Sequence, residues 1–138
     1  MISTIEKVLF LKGVDLFRGI PGEDLAHIAQ ISTEVDYPPN KSIVCENDIG
    51  DSMFLIVEGE VRVHSGNQQF AQLGPQEYFG EMSILDSEPR SATVTSTQDL
   101  RALRIAQSDF SEILAEKPEI SHEIIKTLTQ RLREANKR

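Results

Sequence analysis

The chain has 138 residues, and its hydrophobic fraction of 39% and charged fraction of 26% fit one globular domain with a core of its own. A net charge of −8 argues against direct binding to nucleic acid or to anionic membranes, because both need a basic surface. The single cysteine excludes an intrachain disulfide, and with no signal-peptide pattern and no long apolar run it predicts a cytoplasmic protein without membrane insertion.

Two short helices are predicted within residues 1–31. The segment STIEKVLFLKG places Ile5, Val8 and Leu9 on one helical face. The segment PGEDLAHIAQI opens with Pro21 and then two acids, which suit the positive N-terminal end of a helix.

Residues 32–106 carry the pattern of short β-strands. The strand-like segments are SIVCEN, SMFLIVEG, EVRVHS, QQFAQLGP, SATVTS and LRALRIA. Turn signals recur about every 8 to 12 residues, which is typical of a barrel or a sandwich. Cys45 falls inside the first of these segments, and the pattern predicts that its side chain packs in the core.

Residues 107–138 are predicted to be helical again. Ser108 is the expected N-cap of a helix over SDFSEILAEK, which ends at Pro118. An amphipathic helix of about five turns follows, and its apolar stripe consists of Ile120, Ile124, Leu128 and Leu132. Because helices and strands occupy separate parts of the chain, the fold class is mainly β or α+β, in one domain over residues 1–138.

Metal binding and catalysis find no support in the sequence. His27, His64 and His122 lack a second ligand at metal-binding spacing, and each lies in an element where exposure is expected. No nucleophile is paired with a base, so the sequence predicts no metal, no cofactor and no enzyme. The weakly basic stretch RLREANKR is interpreted as a solvated helix face.

Arg90 is an isolated cation in an acidic region. It is the only basic residue between Arg62 and Arg101, and it lies in FGEMSILDSEPRSATV, residues 79–94. Gly80 precedes a short predicted helix whose free N–H groups attract anions. Because arginine binds phosphate oxygens bidentately, this stretch predicts a site for a phosphate of low charge.

Glu81 adds a second requirement for the ligand. A carboxylate beside a phosphate is repulsive unless it contacts another part of the ligand, and as an acceptor it suits a pair of hydroxyls such as those of ribose. Phosphate and ribose together indicate a nucleotide. A Glu81–Arg90 ion pair that only holds the loop is the alternative, although burying such a pair gives little stability.

The same stretch resembles the phosphate-binding cassette of the cyclic nucleotide-binding domain family. That cassette runs Phe-Gly-Glu, an apolar and a small residue, a short spacer, then Pro-Arg, two small residues and Thr/Ser-Val. The matching residues are Phe79, Gly80, Glu81, Met82, Ser83, Pro89, Arg90, Ser91, Ala92, Thr93 and Val94. Upstream, GDSMFLIVEGEVRV is similar to the family's barrel signature.

The resemblance implies an eight-stranded antiparallel jelly-roll β-barrel flanked by N-terminal helices and a long C-terminal helix. Arg90 is expected to bind the cyclic phosphate and Glu81 the ribose 2′-hydroxyl. The backbone N–H groups expected to assist belong to Gly80, Ser83, Ser91 and Ala92. The positions that match the base pocket are Val63, Ala71, Leu73 and Met82, for which plain core packing is an equally open interpretation. Arg131 falls near a position that can cap the base, with an exposed arginine as the alternative.

These implications predict a regulatory module that binds cyclic AMP in preference to cyclic GMP and signals through its C-terminal helix. Ser91 stands where family members selective for cyclic GMP often carry threonine. An effector domain is expected in the same or another chain, and no DNA-reading module is expected within this one. The alternative is a barrel that has lost nucleotide binding and serves as a structural or interaction domain.

Overall fold

The structure, a computed structural model, describes residues 1–86 and 88–137, and of Ser83 it describes the backbone alone. The N-terminal helices are α1 (Thr4–Lys12), the 3₁₀ turn η1 (Asp15–Phe17) and α2 (Gly22–Ile31). The strands are β1 (Ser32–Tyr37), β2 (Ser42–Val44), β3 (Ser52–Glu58), β4 (Val61–Ser65), β5 (Gln68–Leu73), β6 (Tyr78–Phe79), β7 (Thr93–Ser96) and β8 (Leu100–Ala106). Helix α3 (Glu81–Asp86) lies between β6 and β7, and α4 (Gln107–Glu116) and α5 (Pro118–Ala135) follow β8.

The strands of the described residues form two four-stranded sheets. One sheet has the order β1-β8-β3-β6 and the other the order β2-β7-β4-β5. Every pairing is antiparallel. The predicted fold class of eight antiparallel strands with helices at both ends is confirmed.

Strand β3 is buried on both faces, which explains its nearly continuous apolar sequence. Met53 and Leu55 belong to a core shared with the helices, whereas Phe54 and Ile56 belong to a second core between the two sheets. Successive side chains of a strand point to opposite faces, so one strand supplies both cores. The helical core also contains Leu11, Phe17, Ile28, Phe110, Ile120 and Ile124.

Two predicted packing details are wrong, because tertiary contacts decide them. Cys45 is exposed rather than packed in the core, since β2 ends at Val44 and Cys45 is the first residue after the strand. His64 is buried rather than exposed, with Nδ1 2.9 Å from the Gly66 carbonyl oxygen and Nε2 2.8 Å from Thr95 Oγ1.

The predicted cap of α4 is also wrong. The helix begins at Gln107 directly after Ala106, which makes no side-chain capping bond, so Ser108 already lies inside the first turn. Strand β8 continues to Ala106 because it pairs with β3 as far as Ser52. With this long-range pairing the N-cap lies at Ala106, two residues before the predicted cap at Ser108.

The apolar stripe predicted along α5 is buried only in the first part of the helix. Ile120, Ile124 and Thr127 are buried, whereas Leu132 is 63% exposed despite its place in the predicted stripe. A spacing of four residues exceeds the helical repeat of 3.6, so the stripe leaves the packed face after three turns. Arg131 then occupies the side that faces the barrel.

None of the described helices is both long and apolar enough to cross a membrane.

Candidate functional site

A cavity of about 330 Å³ opens where α3 and the loop before β7 meet the second sheet. The predicted site residues that line it are Val63, Leu73, Gly80, Glu81, Met82, Arg90, Ser91 and Ala92. Ala71 lies exposed on β5, opposite Val63, and is not part of the lining. The side chain of Ser83 is outside the described part of the structure. The functional role of each of these residues stays a prediction.

The backbone conformation directly before α3 requires a glycine at position 80. Its φ of +84° lies in the left-handed region that favours glycine. A Cβ atom at this position would stand 2.5 Å from Arg90 Nη1 and 2.8 Å from the Ser52 carbonyl oxygen. The glycine therefore lets the arginine and the backbone of β3 approach the start of the helix.

Arg90 is buried, with only 7% of its surface exposed. Its Nη2 donates to the Ser52 carbonyl oxygen at 2.9 Å, and its backbone N–H donates to the Asp48 carbonyl oxygen at 2.7 Å. Nη1 is buried and has no hydrogen-bond partner among the described residues. A buried charged donor without an acceptor is costly, so this atom is a place where an anionic oxygen would be favourable.

The alternative of a Glu81–Arg90 ion pair is not formed among the described residues, whose ion pairs involve other side chains. Burial lowers the pKa of Arg90, and the carboxylates of Asp51, Asp48 and Glu81 oppose that effect. The guanidinium nevertheless stays charged, because the ordinary pKa of arginine lies far above neutral pH. The cavity therefore contains a guanidinium that forms no ion pair with another described residue.

Glu81 is the first residue of α3 and is half-buried in the same cavity. Burial raises its pKa, and the backbone N–H groups of Glu81 and Met82 and the charges of Arg131 and Arg90 act in the opposite direction. While ionised, the carboxylate only accepts hydrogen bonds. It therefore loses its acceptor charge as the pH falls through its raised pKa.

Tyr78 is a wall residue that the sequence analysis missed. It lines the cavity two residues before Gly80, and its hydroxyl is buried without a hydrogen-bond partner among the described residues. The guanidinium carbon of Arg131 lies 5.4 Å from the centre of its ring. Arg131 is thus outside the cavity but against its wall.

The described residues contain no cluster of three or more histidine, cysteine, aspartate or glutamate side chains that could hold a metal ion. The chemistry of the cavity is instead that of one buried guanidinium, one carboxylate at a helix start, and apolar walls contributed by β4, β5 and β7. Such a cavity offers a cation to an anionic group and a carboxylate acceptor to hydroxyl groups. Residues 34–117 match the family model for the cyclic nucleotide-binding domain, and the chain belongs to this family.

Similar proteins include regulators and kinase subunits. The chain is 34% identical over 131 residues to the cyclic AMP receptor protein of Thermus thermophilus, covering 91% of this chain and 61% of that protein. It is 31% identical over 112 residues to the cAMP-dependent protein kinase regulatory subunit of Eremothecium gossypii, covering 80% of this chain and 24% of that protein. The chain therefore spans less than two thirds of the length of these relatives.

A solved structure matches nearly the whole chain. The N-terminal domain of a transcriptional regulator from Streptomyces coelicolor superposes with a TM-score of 0.82 at 29% identity, covering 92% of this chain and 94% of that one. The family resemblance read from the sequence is confirmed by the family match and by these relatives.

Proposed function

We propose that the chain is a regulatory module that binds cyclic AMP in preference to cyclic GMP and passes the signal on through α5. The observation that carries the proposal is the buried Arg90. Its Nη1 has no hydrogen-bond partner within residues 1–86 and 88–137, and it faces Gly80 in a cavity shared with Glu81. Membership of the cyclic nucleotide-binding domain family and the regulatory names of the relatives support it.

The phosphate is assigned to Arg90. A cyclic phosphate carries one negative charge, which one guanidinium neutralises, and a charge-assisted bond to it satisfies the unpartnered donor. The backbone N–H groups of Gly80, Ser83, Ser91 and Ala92 are the additional donors proposed for the phosphate and the ribose hydroxyl. Glu81 is assigned to the ribose 2′-hydroxyl, because a carboxylate is the acceptor such a hydroxyl needs.

The preference for cyclic AMP rests on the walls of the base end. Val63 and Leu73 line the cavity there and Met82 is exposed at its edge, so none of the three offers a polar group specific for guanine. Ser91 lines the cavity with a hydroxyl but lacks the methyl that restricts the rotamers of threonine.

Calorimetric titration with each cyclic nucleotide tests this assignment. We expect saturable binding of both, with the lower Kd for cyclic AMP. Equal or tighter binding of cyclic GMP contradicts the preference. Failure of both to bind contradicts the whole proposal and favours the alternative, a barrel that acts as a structural or interaction domain.

Glu81→Gln should weaken binding and reduce the discrimination against 2′-deoxy cyclic AMP. The amide keeps the shape of the side chain but is a weaker acceptor than the carboxylate. The measurement is the ratio of Kd values for the 2′-deoxy and ribose forms, in wild type and variant. An unchanged ratio would remove Glu81 from the ribose contact.

Signalling through α5 is proposed from its contacts with the barrel. Arg131 lies over Tyr78 of the cavity wall. Arg18, which directly follows η1, donates from Nη2 to Gln130 Oε1 at 2.8 Å. A ligand shifts a helix only when it interacts differently with the two positions of that helix. The closeness of α5 to the wall gives the ligand the means to do so.

Hydrogen exchange with and without cyclic AMP should therefore show increased protection both at residues 79–92 and in α5. Protection confined to residues 79–92 would mean that α5 is a static part of the core. The Arg90→Ala variant is the control, because at the same nucleotide concentration it should gain protection in neither region.

The setting proposed for this module is cytoplasmic, supported by the single cysteine of the chain. The net charge of −8 supports the absence of direct nucleic-acid contact by these residues. No catalytic role is proposed for any side chain, and the effector is proposed to lie in the same or another chain.

A further inference from the structure

A charged contact outside the cavity joins three elements of the fold. Arg131 of α5 donates from Nε to Asp15 Oδ2 of η1 at 2.9 Å, and its Nη2 donates to the same oxygen. The same guanidinium covers the ring of Tyr78 in β6. These residues, which we call the Asp15–Arg131–Tyr78 clamp, connect positions 116 residues apart in the sequence.

A second bridge supports the clamp. Arg18 lies 3.3 Å from Asp15 Oδ1 and also donates to Gln130 of α5. Asp15 thus forms ion pairs with two arginines, Arg18 directly after η1 and Arg131 on α5. The side chains of Arg131 and Asp15 are 39% and 48% exposed, so solvent screens the charge attraction. The position of Arg131 is set by the fork of two bonds and by the ring beneath it.

The clamp reaches the cavity in two ways. Tyr78 is part of the cavity wall, and the charge of Arg131 acts on Glu81. We propose that Asp15 and Arg131 are positioning residues of the nucleotide site, which hold α5 against the wall at Tyr78 so that nucleotide affinity depends on a contact outside the cavity. This inference rests on the proposed function. Because such coupling is reciprocal, bound nucleotide should in turn strengthen the contact between η1 and α5.

The clamp should also contribute to the acid limit of binding. Burial raises the pKa of Glu81, and the Arg131 charge is one of the influences that hold it down. Removal of that charge should raise the pKa further, so the ionised acceptor would be lost at a higher pH. The groups around Glu81 that also carry or exchange charge are Tyr78, Asp86, Glu88 and Arg90 in the cavity and Arg131 on α5.

Titration of Asp15→Asn, Arg131→Gln and the double variant with cyclic AMP tests the proposal in the full chain. Each single variant should bind roughly 5- to 20-fold more weakly than wild type, in the lower part of the usual range for coupled sites. The double variant should be little worse than the singles, since both remove one contact. Arg133→Gln is the matched control, because it removes the same charge from an exposed position of the same helix.

The pH profile separates positioning from a general loss of structure. In Arg131→Gln, binding should fall off at a higher pH than in wild type, whereas Arg131→Lys keeps the charge and should keep the wild-type acid limit while binding more weakly. Glu81→Gln should show no acid limit from this group. Far-ultraviolet circular dichroism across the same pH range checks that each variant is folded.

The outcomes distinguish this inference from the proposed function. If wild type binds neither cyclic nucleotide, the proposed function fails and the inference fails with it. If wild type binds and the Asp15 and Arg131 variants stay within twofold of it, with an unchanged acid limit, the clamp has no part in binding. Tighter binding by Asp15→Asn would also overturn the inference, because it would show that Asp15 competes with the nucleotide for Arg131.

Discussion

Arg90→Ala is expected to weaken cyclic nucleotide binding by roughly 30- to 1000-fold. A charge-assisted, bidentate contact in a partly dry cavity contributes about 2–4 kcal/mol, and each 1.4 kcal/mol corresponds to about a factor of ten. Removal of the side chain loses the Nη2 bond to the Ser52 carbonyl oxygen, but it also relieves the cost of burying Nη1, which has no partner among the described residues. The fold should therefore persist while binding is lost.

Arg62→Ala is the matched control for this experiment. Arg62 lies on β4 next to Val63, but only Val63 lines the cavity. Both variants lose one positive charge, so a general electrostatic effect would weaken them equally. Calorimetric binding of Arg90→Ala within a few-fold of wild type would show that the phosphate is not bound by this arginine.

Gly80→Ala is expected to reduce nucleotide binding by displacing the Arg90 guanidinium. The new Cβ would stand 2.5 Å from Arg90 Nη1 and 2.8 Å from the Ser52 carbonyl oxygen, so the arginine must move from its place. The positive φ adds backbone strain of about 1–3 kcal/mol. Together these effects should weaken binding by at least roughly tenfold and lower the melting temperature.

Two other glycines separate strain from collision. Gly66→Ala introduces a side chain at φ +60° with no atom of the described residues within 4 Å, and Gly74→Ala likewise meets none of them and has no positive φ. We expect Gly66→Ala to lose some stability but to keep nucleotide affinity, and Gly74→Ala to lose neither. If Gly66→Ala lost as much affinity as Gly80→Ala, strain alone rather than the position of Arg90 would explain the result.

The helical and strand repeats in the sequence are sufficient to predict the fold class, because each repeat depends only on residues close together in the chain. Alternation in the segment with Val61 and Val63, the continuous apolar run of β3 and the helical spacing of Ile120 and Ile124 each reflect the repeat of one element. The cassette is local as well, since Gly80, Glu81 and Arg90 lie within eleven consecutive residues. Such features are visible before any packing is known.

Features that depend on packing were missed or misplaced. Cys45 and His64 have the wrong predicted exposure, because a strand pattern does not show where a strand ends or which face its partner covers. Ala71 matches a base-pocket position but lies exposed outside the lining. Tyr78 carries no sequence signal of its own, and its place in the wall follows from the pairing of β6 with β3.

The sequence by itself therefore determined the class of this protein and the three residues at the centre of its candidate site. Helical and strand periods and a short motif depend on neighbours along the chain, so they can be read without the fold. The tertiary structure alone decided that Arg131 meets Asp15 and Tyr78, and that Arg90 is buried with its Nη1 unpartnered in the described part of the chain. These contacts join residues distant in sequence, and their energies arise only when burial removes water from groups that the folded chain brings together.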